Sequence, residues 1–235
     1  HARDSIPKGL DVPNETSHPN FLTVDFGICE VDGQLTPRLI ELQAFPSLYA
    51  FQLFFLGCLR KAFPAIPRNS TSSFGGLKDE AYIELLRRVI VGDSNPENVI
   101  LLEIEPDKQK TRIDFACTET LLGVRPVCLT KIRKRGVQLL YDRDGREVRI
   151  ERIYNRVIFD ELIRRPDLNP AFRFQEELDV KWVGHPNWYF RISKHSLPFL
   201  KTEPTAPPFF AAEFPGGEPL AGYVLTQLSS FSRPR

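Results

Sequence analysis

Two carboxylates and an amide stand in two neighbouring, largely apolar stretches. In "FLTVDFGICEV" (21–31), Leu22, Val24, Phe26 and Ile28 alternate with Thr23, Asp25 and Gly27, and in "RLIELQAFPSL" (38–48), Glu41 and Gln43 stand in an otherwise apolar run. Residues two apart on a strand point the same way, so Glu41 and Gln43 share a face opposite to Ile40 and Leu42. The intervening "DG" predicts a β-hairpin. A three-residue loop over Asp32, Gly33 and Gln34 pairs Val31 with Leu35, Phe26 with Ile40 and Val24 with Leu42, and all apolar residues then share one face. A two-residue loop suits Asp32-Gly33 but mixes apolar with polar partners, so it is rejected. The chosen register sets Asp25 opposite Glu41 and Thr23 opposite Gln43. Facing carboxylates repel, and that face needs either water or a cation. Two carboxylates beside an amide suit a hard ion such as Mg²⁺, whereas a solvated strand face is the commoner arrangement.

Other segments carry weaker chemical signals. In "HPNWYFRISKHSLPFL" (185–200), His185, Asn187, Arg191, Lys194 and His195 surround Trp188, Tyr189 and Phe190. Rings for stacking and a lysine for phosphate could read a nucleotide, and an amphipathic helix with snorkelling cations explains the same pattern. Arg156 stands in "IYNRV", at a strand-to-helix junction. A cation near a helix start is unfavourable for the helix dipole and hints at an anionic partner. "SSFGG" (72–76) lacks the Lys-Ser/Thr of a phosphate-binding loop and reads as a connection. No Ser-His-Asp or Cys-His spacing supports nucleophilic catalysis.

The elements that must position these residues follow from periodicity. "SLYAFQLFFLGCLRKAF" (47–63) is apolar nearly all round and reads as a buried helix. "LKDEAYIELLRRVIVG" (77–92) carries an apolar stripe closed by Gly92. "NVILLEIE", "KTRIDFACTETLLG" and "VRPVCLTKI" (98–132, with a short connection) form a β-α-β pattern. "VQLLYDRDGREVRIERIYN" (137–155) is a hairpin turning at Asp144-Gly145, "RVIFDELIRR" (156–165) a short helix, and "GYVLTQL" (222–228) a last strand.

Composition sets the outer bounds. The 235 residues are 42% hydrophobic and 26% charged, with 31 basic against 30 acidic side chains, which is ordinary for a globular protein. A net charge of +1 supplies no global field for a nucleic-acid or membrane-surface partner. The cysteines at 29, 58, 117 and 128 lack CxxC spacing and are expected as buried free thiols of a reducing, cytoplasmic compartment. The longest apolar run is too short to span a bilayer. The chain starts with His and contains no Met, and it stops in "SSFSRPR", so it is expected to be a fragment.

Taken in order, these segments resemble the circularly permuted ATP-grasp ligases, the group of eukaryotic-type glutathione synthetase and the synthetase part of glutathionylspermidine synthetase. The hairpin "VDFGICEVDGQLTPRLIELQAFPSL" is similar to that family's acidic strand, "IE-x-N" strand and Ser-containing substrate loop. The β-α-β segment resembles its inserted substrate domain, and "YDRDGREVRIERIYNRV" its "dG-x-x-V…VYxR" segment. "RISKHSLPFL" falls at its first ATP-binding lysine and "GYVLTQL" at "yVLKP".

The resemblance implies an α/β, glutathione-synthetase-like fold: an incomplete ATP-grasp core plus a parallel, Rossmann-like β-α-β substrate-binding domain. Its divisions are 1–95 for the N-terminal core part, 96–180 for the substrate domain and 181–235 for a truncated return into the core. It implies Glu41 and Gln43 as Mg²⁺ ligands and Arg156 against the anionic substrate or transferring phosphate. It also implies Lys194 on ATP phosphates, with Asp25 and Ser47 at the substrate. The activity implied is ATP-dependent joining of a carboxylate to an amine, on an amino acid or peptide. Gln43 replaces the family's Asn, and Thr226-Gln227 replaces Lys-Pro. The chain ends at Arg235, before the glycine-rich lid and distal carboxylate, so half an ATP site and no ATP turnover by the chain alone are expected. Thr23 and Gln43 also argue against glutathione as product. A non-catalytic binding module and a plain α/β scaffold remain alternatives, and the apolar helix 47–63 can serve a homodimer as well as a core. The ligase reading requires Glu41, Arg156 and Lys194 to converge on one cleft.

Overall fold

The computed structural model describes residues 5–73 and 77–193 and the backbone of residues 224–228. In chain order the elements are β1 (Leu22–Val31), β2 (Gln34–Gln43), α1 (Phe51–Ala62), α2 (Asp79–Ile90), β3 (Val99–Glu103), α3 (Arg112–Leu122), β4 (Arg125–Cys128), β5 (Arg133–Arg135), β6 (Gln138–Arg143), β7 (Arg146–Ile150), β8 (Arg152–Asn155), α4 (Phe159–Arg164), β9 (Lys181–Val183), α5 (Asn187–Arg191) and β10 (Val224–Leu228). The fold is mixed α/β. A four-stranded sheet of order β4-β3-β8-β9 is parallel throughout, and β5-β6-β7 is antiparallel. In the third sheet, β10 runs parallel to β1, whose other edge pairs with β2.

The parallel sheet divides two apolar layers, and β3 shows why. All five of its residues are buried, as a strand covered on both faces requires. Val99 and Leu101 face a core built with Tyr82, Leu86 and Ile90 of α2 and Phe115 and Leu122 of α3. Ile100 and Leu102 face the opposite core, with Leu139, Tyr141, Val148 and Ile150 of the β6–β7 hairpin and with Phe159, Phe172 and Phe174. The expected β-α-β unit is thus present, with α3 crossing from β3 to the parallel β4 and ending on Gly123 in left-handed conformation.

The first hairpin corrects the expected loop. Val31 pairs with Gln34 across a two-residue turn, with Asp32 at φ 50° and Gly33 at φ 74°, the conformation that matches strand twist. The expected pairs Asp25 with Glu41, Thr23 with Gln43 and Val24 with Leu42 nevertheless form. A β-bulge reconciles the two: the register shifts between Asp25 and Phe26, so that Phe26 faces Leu39 and Ile40 is the extra residue. Beyond the bulge the apolar residues do not share a buried face. Ile28 and Leu35 are 48% and 78% exposed, whereas Val24 and Leu42 are buried.

Two further expectations are overturned. Helix α1 contains no buried residue, and Phe54 and Phe55 are exposed. Its phenylalanines stack on one another, Phe51 on Phe55 at 5.3 Å, and it meets the body mainly along α3. Composition demanded cover for this helix, and among the described residues its outer face has none. The cysteines are free thiols but not buried ones: Cys29 and Cys58 are exposed, and Cys117 and Cys128 are partly so.

The polar residues of 185–191 have a structural task. They hold the N-terminal segment. Asn187, fully buried, accepts from Val12 N at 3.0 Å, and its Nδ2 lies 2.8 Å from Asp11 Oδ1, 3.0 Å from Val12 O and 2.9 Å from Glu15 Oε2. Arg191 grips the Glu15 carboxylate, and His185 Nε2 meets Pro13 O at 3.0 Å. A buried amide with this many partners is expensive to truncate. N187A is expected to lower unfolding free energy by about 2 kcal/mol or more in urea titration. N14A, which loses one exposed bond to Glu177, is expected to cost about 0.5 kcal/mol or less. Equal effects contradict the anchoring role.

Candidate functional site

Strand order places a crevice at the carboxyl ends of β3 and β8. The chain leaves β3 toward β4 on one side and leaves β8 toward β9 on the other, and ligands of open α/β sheets occupy such divergences. Glu103 ends β3, and Arg156 follows β8 with its N–H donating to Leu102 O at 3.0 Å. The preceding Asn155 is buried, and its Oδ1 accepts from Val157 N at 3.2 Å, which turns the chain at this point.

Arg156 is only 5% exposed. Its guanidinium lies over the rings of Phe45 at 5.2 Å and Phe115 at 5.6 Å, and Nη2 approaches Thr111 Oγ1 at 3.5 Å. Around it stand carboxyls whose ionisation it eases. Burial pushes Glu103 up to about 7, with an opposing hydrogen bond from Ile104 N and the charge of Arg156. Burial also raises Asp114, against the charge of Arg156 and the N–H groups of Phe51, Ala50 and Leu48. Phe51 N donates to Asp114 Oδ1 at 2.9 Å, so this carboxylate of α3 also serves the first turn of α1. Tyr49, hydrogen-bonded to Thr23 at 2.9 Å, is pushed up to about 12 by burial, with Asp25 and Asp114 adding to the rise.

A second feature adjoins this cluster. Glu41 and Gln43 line a cleft of about 370 Å³ together with Phe45, Asp160, Tyr189 and Phe190. The Phe45 ring therefore belongs to both features. It is fixed on either side by Ala44 N donating to Ile192 O at 3.2 Å and by Pro46, which sits where a side chain on Gly184 would fall, 3.1 Å from its would-be Cβ.

The six sequence-derived residues divide accordingly. Glu41 and Gln43 share the cleft, and Asp25 stands directly opposite Glu41. Arg156 does not line the cleft but packs on the ring that does. Ser47 is half-buried and is also outside the lining, and Lys194 lies outside the described residues. Convergence of Glu41 and Arg156 is thus adjacency across Phe45. Phe45, Glu103 and Asp114 were missed. The last two carry the same signal as Glu41: a carboxylate inside an apolar run, in "VILLE" and "RIDFAC".

The Asp25 and Glu41 carboxylates and the Gln43 carbonyl are the hard oxygen donors Mg²⁺ prefers. Among the described residues no three His, Cys, Asp or Glu side chains gather as a metal cage. No helix among the described residues is long and apolar enough to cross a membrane.

The raised Glu103 has a defined pH consequence. Its folded-state value of about 7 exceeds the ordinary 4.5, so its protonated form is favoured by folding. Stability is full below about pH 4.5 and is lost as pH rises through about 7. Relative to E103Q, the chain is expected to lose about 3 kcal/mol of stability across that window, read from denaturant midpoints. Parallel pH profiles for the two proteins contradict the assignment. No protein-family model matches the chain, and no curated protein is significantly similar to it in sequence.

Proposed function

We propose that this chain is part of an ATP-dependent carboxylate–amine ligase of the glutathione-synthetase-like ATP-grasp type, acting on an amino acid or peptide in the cytoplasm. The observation that carries the reading is the adjacency of a buried arginine at the β3/β8 divergence to a cleft bearing Glu41 and Gln43. An ordered run of family-like segments supports it, with the parallel β-α-β unit where the substrate domain is expected.

In this reading Glu41 and Gln43, with Asp25 opposite, hold Mg²⁺, and Lys194 is the ATP-phosphate contact. ATP and Mg²⁺ supply activation of the carboxylate by phosphoryl transfer. The chain's own side chains do the positioning. Arg156 offers a fixed cation, pre-oriented between two rings, to the anionic end of the substrate. The aromatic walls formed by Phe45, Tyr189 and Phe190 exclude water beside the reacting carboxylate.

The test is hydroxylamine trapping of the activated carboxylate by the full-length product of the gene. With ATP, Mg²⁺ and a panel of amino acids and short peptides, hydroxamate formation is expected, and E41A is expected to lower it by about 100-fold or more. The melting temperature of E41A should stay unchanged, because Glu41 is half-buried on a strand face. An unaffected rate in E41A overturns the metal role, and absence of hydroxamate across the panel overturns the ligase reading.

A further inference from the structure

The cleft beside Glu41 is walled by three aromatic rings, Phe45 at the exit of β2 and Tyr189 and Phe190 on α5. Tyr189 meets Phe45 at 5.8 Å and 76° and Phe190 at 5.2 Å and 77°, so the wall turns from ring to ring instead of stacking. Two of the rings are backed from behind. Phe190 stacks on Phe159 at 5.5 Å, and the Arg156 guanidinium lies over Phe45 at 5.2 Å.

Two carboxylates line the same cleft, Glu41 on β2 and Asp160 in the first turn of α4. Asp25, paired with Glu41, adds a third acid to that strand face. Among the described residues the lining contains no lysine, arginine or histidine. Asp160 is close enough to the rings for its charge to be felt there: burial, and then Asp160, raise the Tyr189 hydroxyl, while Arg164, outside the lining, opposes them.

Rings and acids together select the class of ligand. An anion is repelled by the carboxylates. An apolar guest strips water from them and returns nothing. A hydrated divalent ion uses the carboxylates but gains nothing from three ring walls. An organic cation uses both, with its charge on the acids and the ring π-systems and its carbon on the aromatic surface. The carboxylates and the Gln43 carbonyl are hydrogen-bond acceptors, which a primary ammonium satisfies and a quaternary one cannot. Arg156 already occupies a face of Phe45, so Tyr189 and Phe190 are the rings left for a second cation. A cleft of about 370 Å³ is of small-molecule size.

We infer that this cleft binds a primary alkylammonium group, seated against Tyr189 and Phe190 with Asp160 and Glu41 as its counter-charges. The inference goes beyond the ligase reading and stands without it. A protonated ammonium has no lone pair with which to attack an activated carboxylate, so the group is held for recognition and does not react.

The test is titration of this chain with n-butylammonium at neutral pH, followed by ligand-detected NMR, beside n-butanol and tetramethylammonium. Divalent cations are left out, because Glu41 is shared with the proposed metal role. Butylammonium is expected to bind about tenfold more tightly than butanol or better, with saturation reaching the methylene beside nitrogen more strongly than the terminal methyl. D160N should weaken butylammonium about fivefold and leave butanol unchanged. D107N, which removes an exposed acid outside the lining, should change neither. Should D160N fail to fold, E41Q carries the same expectation. Absence of saturable butylammonium binding overturns the inference, as does butanol or tetramethylammonium bound equally well. Unchanged affinity in D160N and E41Q overturns it too. The two readings fail separately. Amine binding without hydroxamate formation overturns the ligase alone, and hydroxamate formation without amine binding overturns this inference alone.

Discussion

A guanidinium sealed into the protein is the constraint around which the molecule is arranged. Removing such a cation from water costs several kcal/mol unless the surroundings compensate. Arg156 obtains that compensation from pieces far apart in sequence: the ring of Phe45 at the exit of β2, the ring of Phe115 on α3, and the carboxyls of Asp114 and Glu103. Each ring can contribute about 2 kcal/mol when desolvated. The hairpin, the crossover helix and the central strand are thereby fixed to the start of the segment after β8. The cleft beside Glu41 takes its place from the same contacts.

The charges around Arg156 are mutually dependent. Asp114 steadies the first turn of α1 through Phe51 N and answers Arg156 at the same time. This explains how a helix with no buried residue can still be tied to the body at its start. Tyr49 sits in the same neighbourhood, its hydroxyl bonded to Thr23 and its carbonyl accepting from Tyr82 at 2.7 Å. The hairpin, α2 and α3 therefore meet around one set of polar contacts as well as around an apolar core.

Much of this was legible in the sequence where local chemistry decides. The opposition of Asp25 and Glu41 follows from strand period, and the Asp144-Gly145 turn and the β-α-β unit follow from residue type. Arg156 could be singled out because a cation beside a helix start is out of place. The bulge at Ile40 was not legible, because a one-residue shift satisfies turn chemistry and pairing together, and pattern alone treats them as rivals. The exposure of α1 was hidden because composition reports what ought to be covered, not what is available to cover it. The role of Asn187 depends on Val12 and Glu15, about 175 residues away, and no spacing rule reaches that far. Asp114 and Glu103 carried a readable signal, a carboxylate in an apolar run, but the cation they stand near, Arg156, lies beyond the end of β8.

The central claim is that the buried guanidinium of Arg156, held against Phe45 and Phe115, ties the hairpin and the crossover helix to the segment after β8. A double-mutant cycle in urea unfolding, with R156M, F45L and the pair, tests this most directly. The account predicts a coupling of about 1 kcal/mol or more between the two positions. Strictly additive effects contradict it.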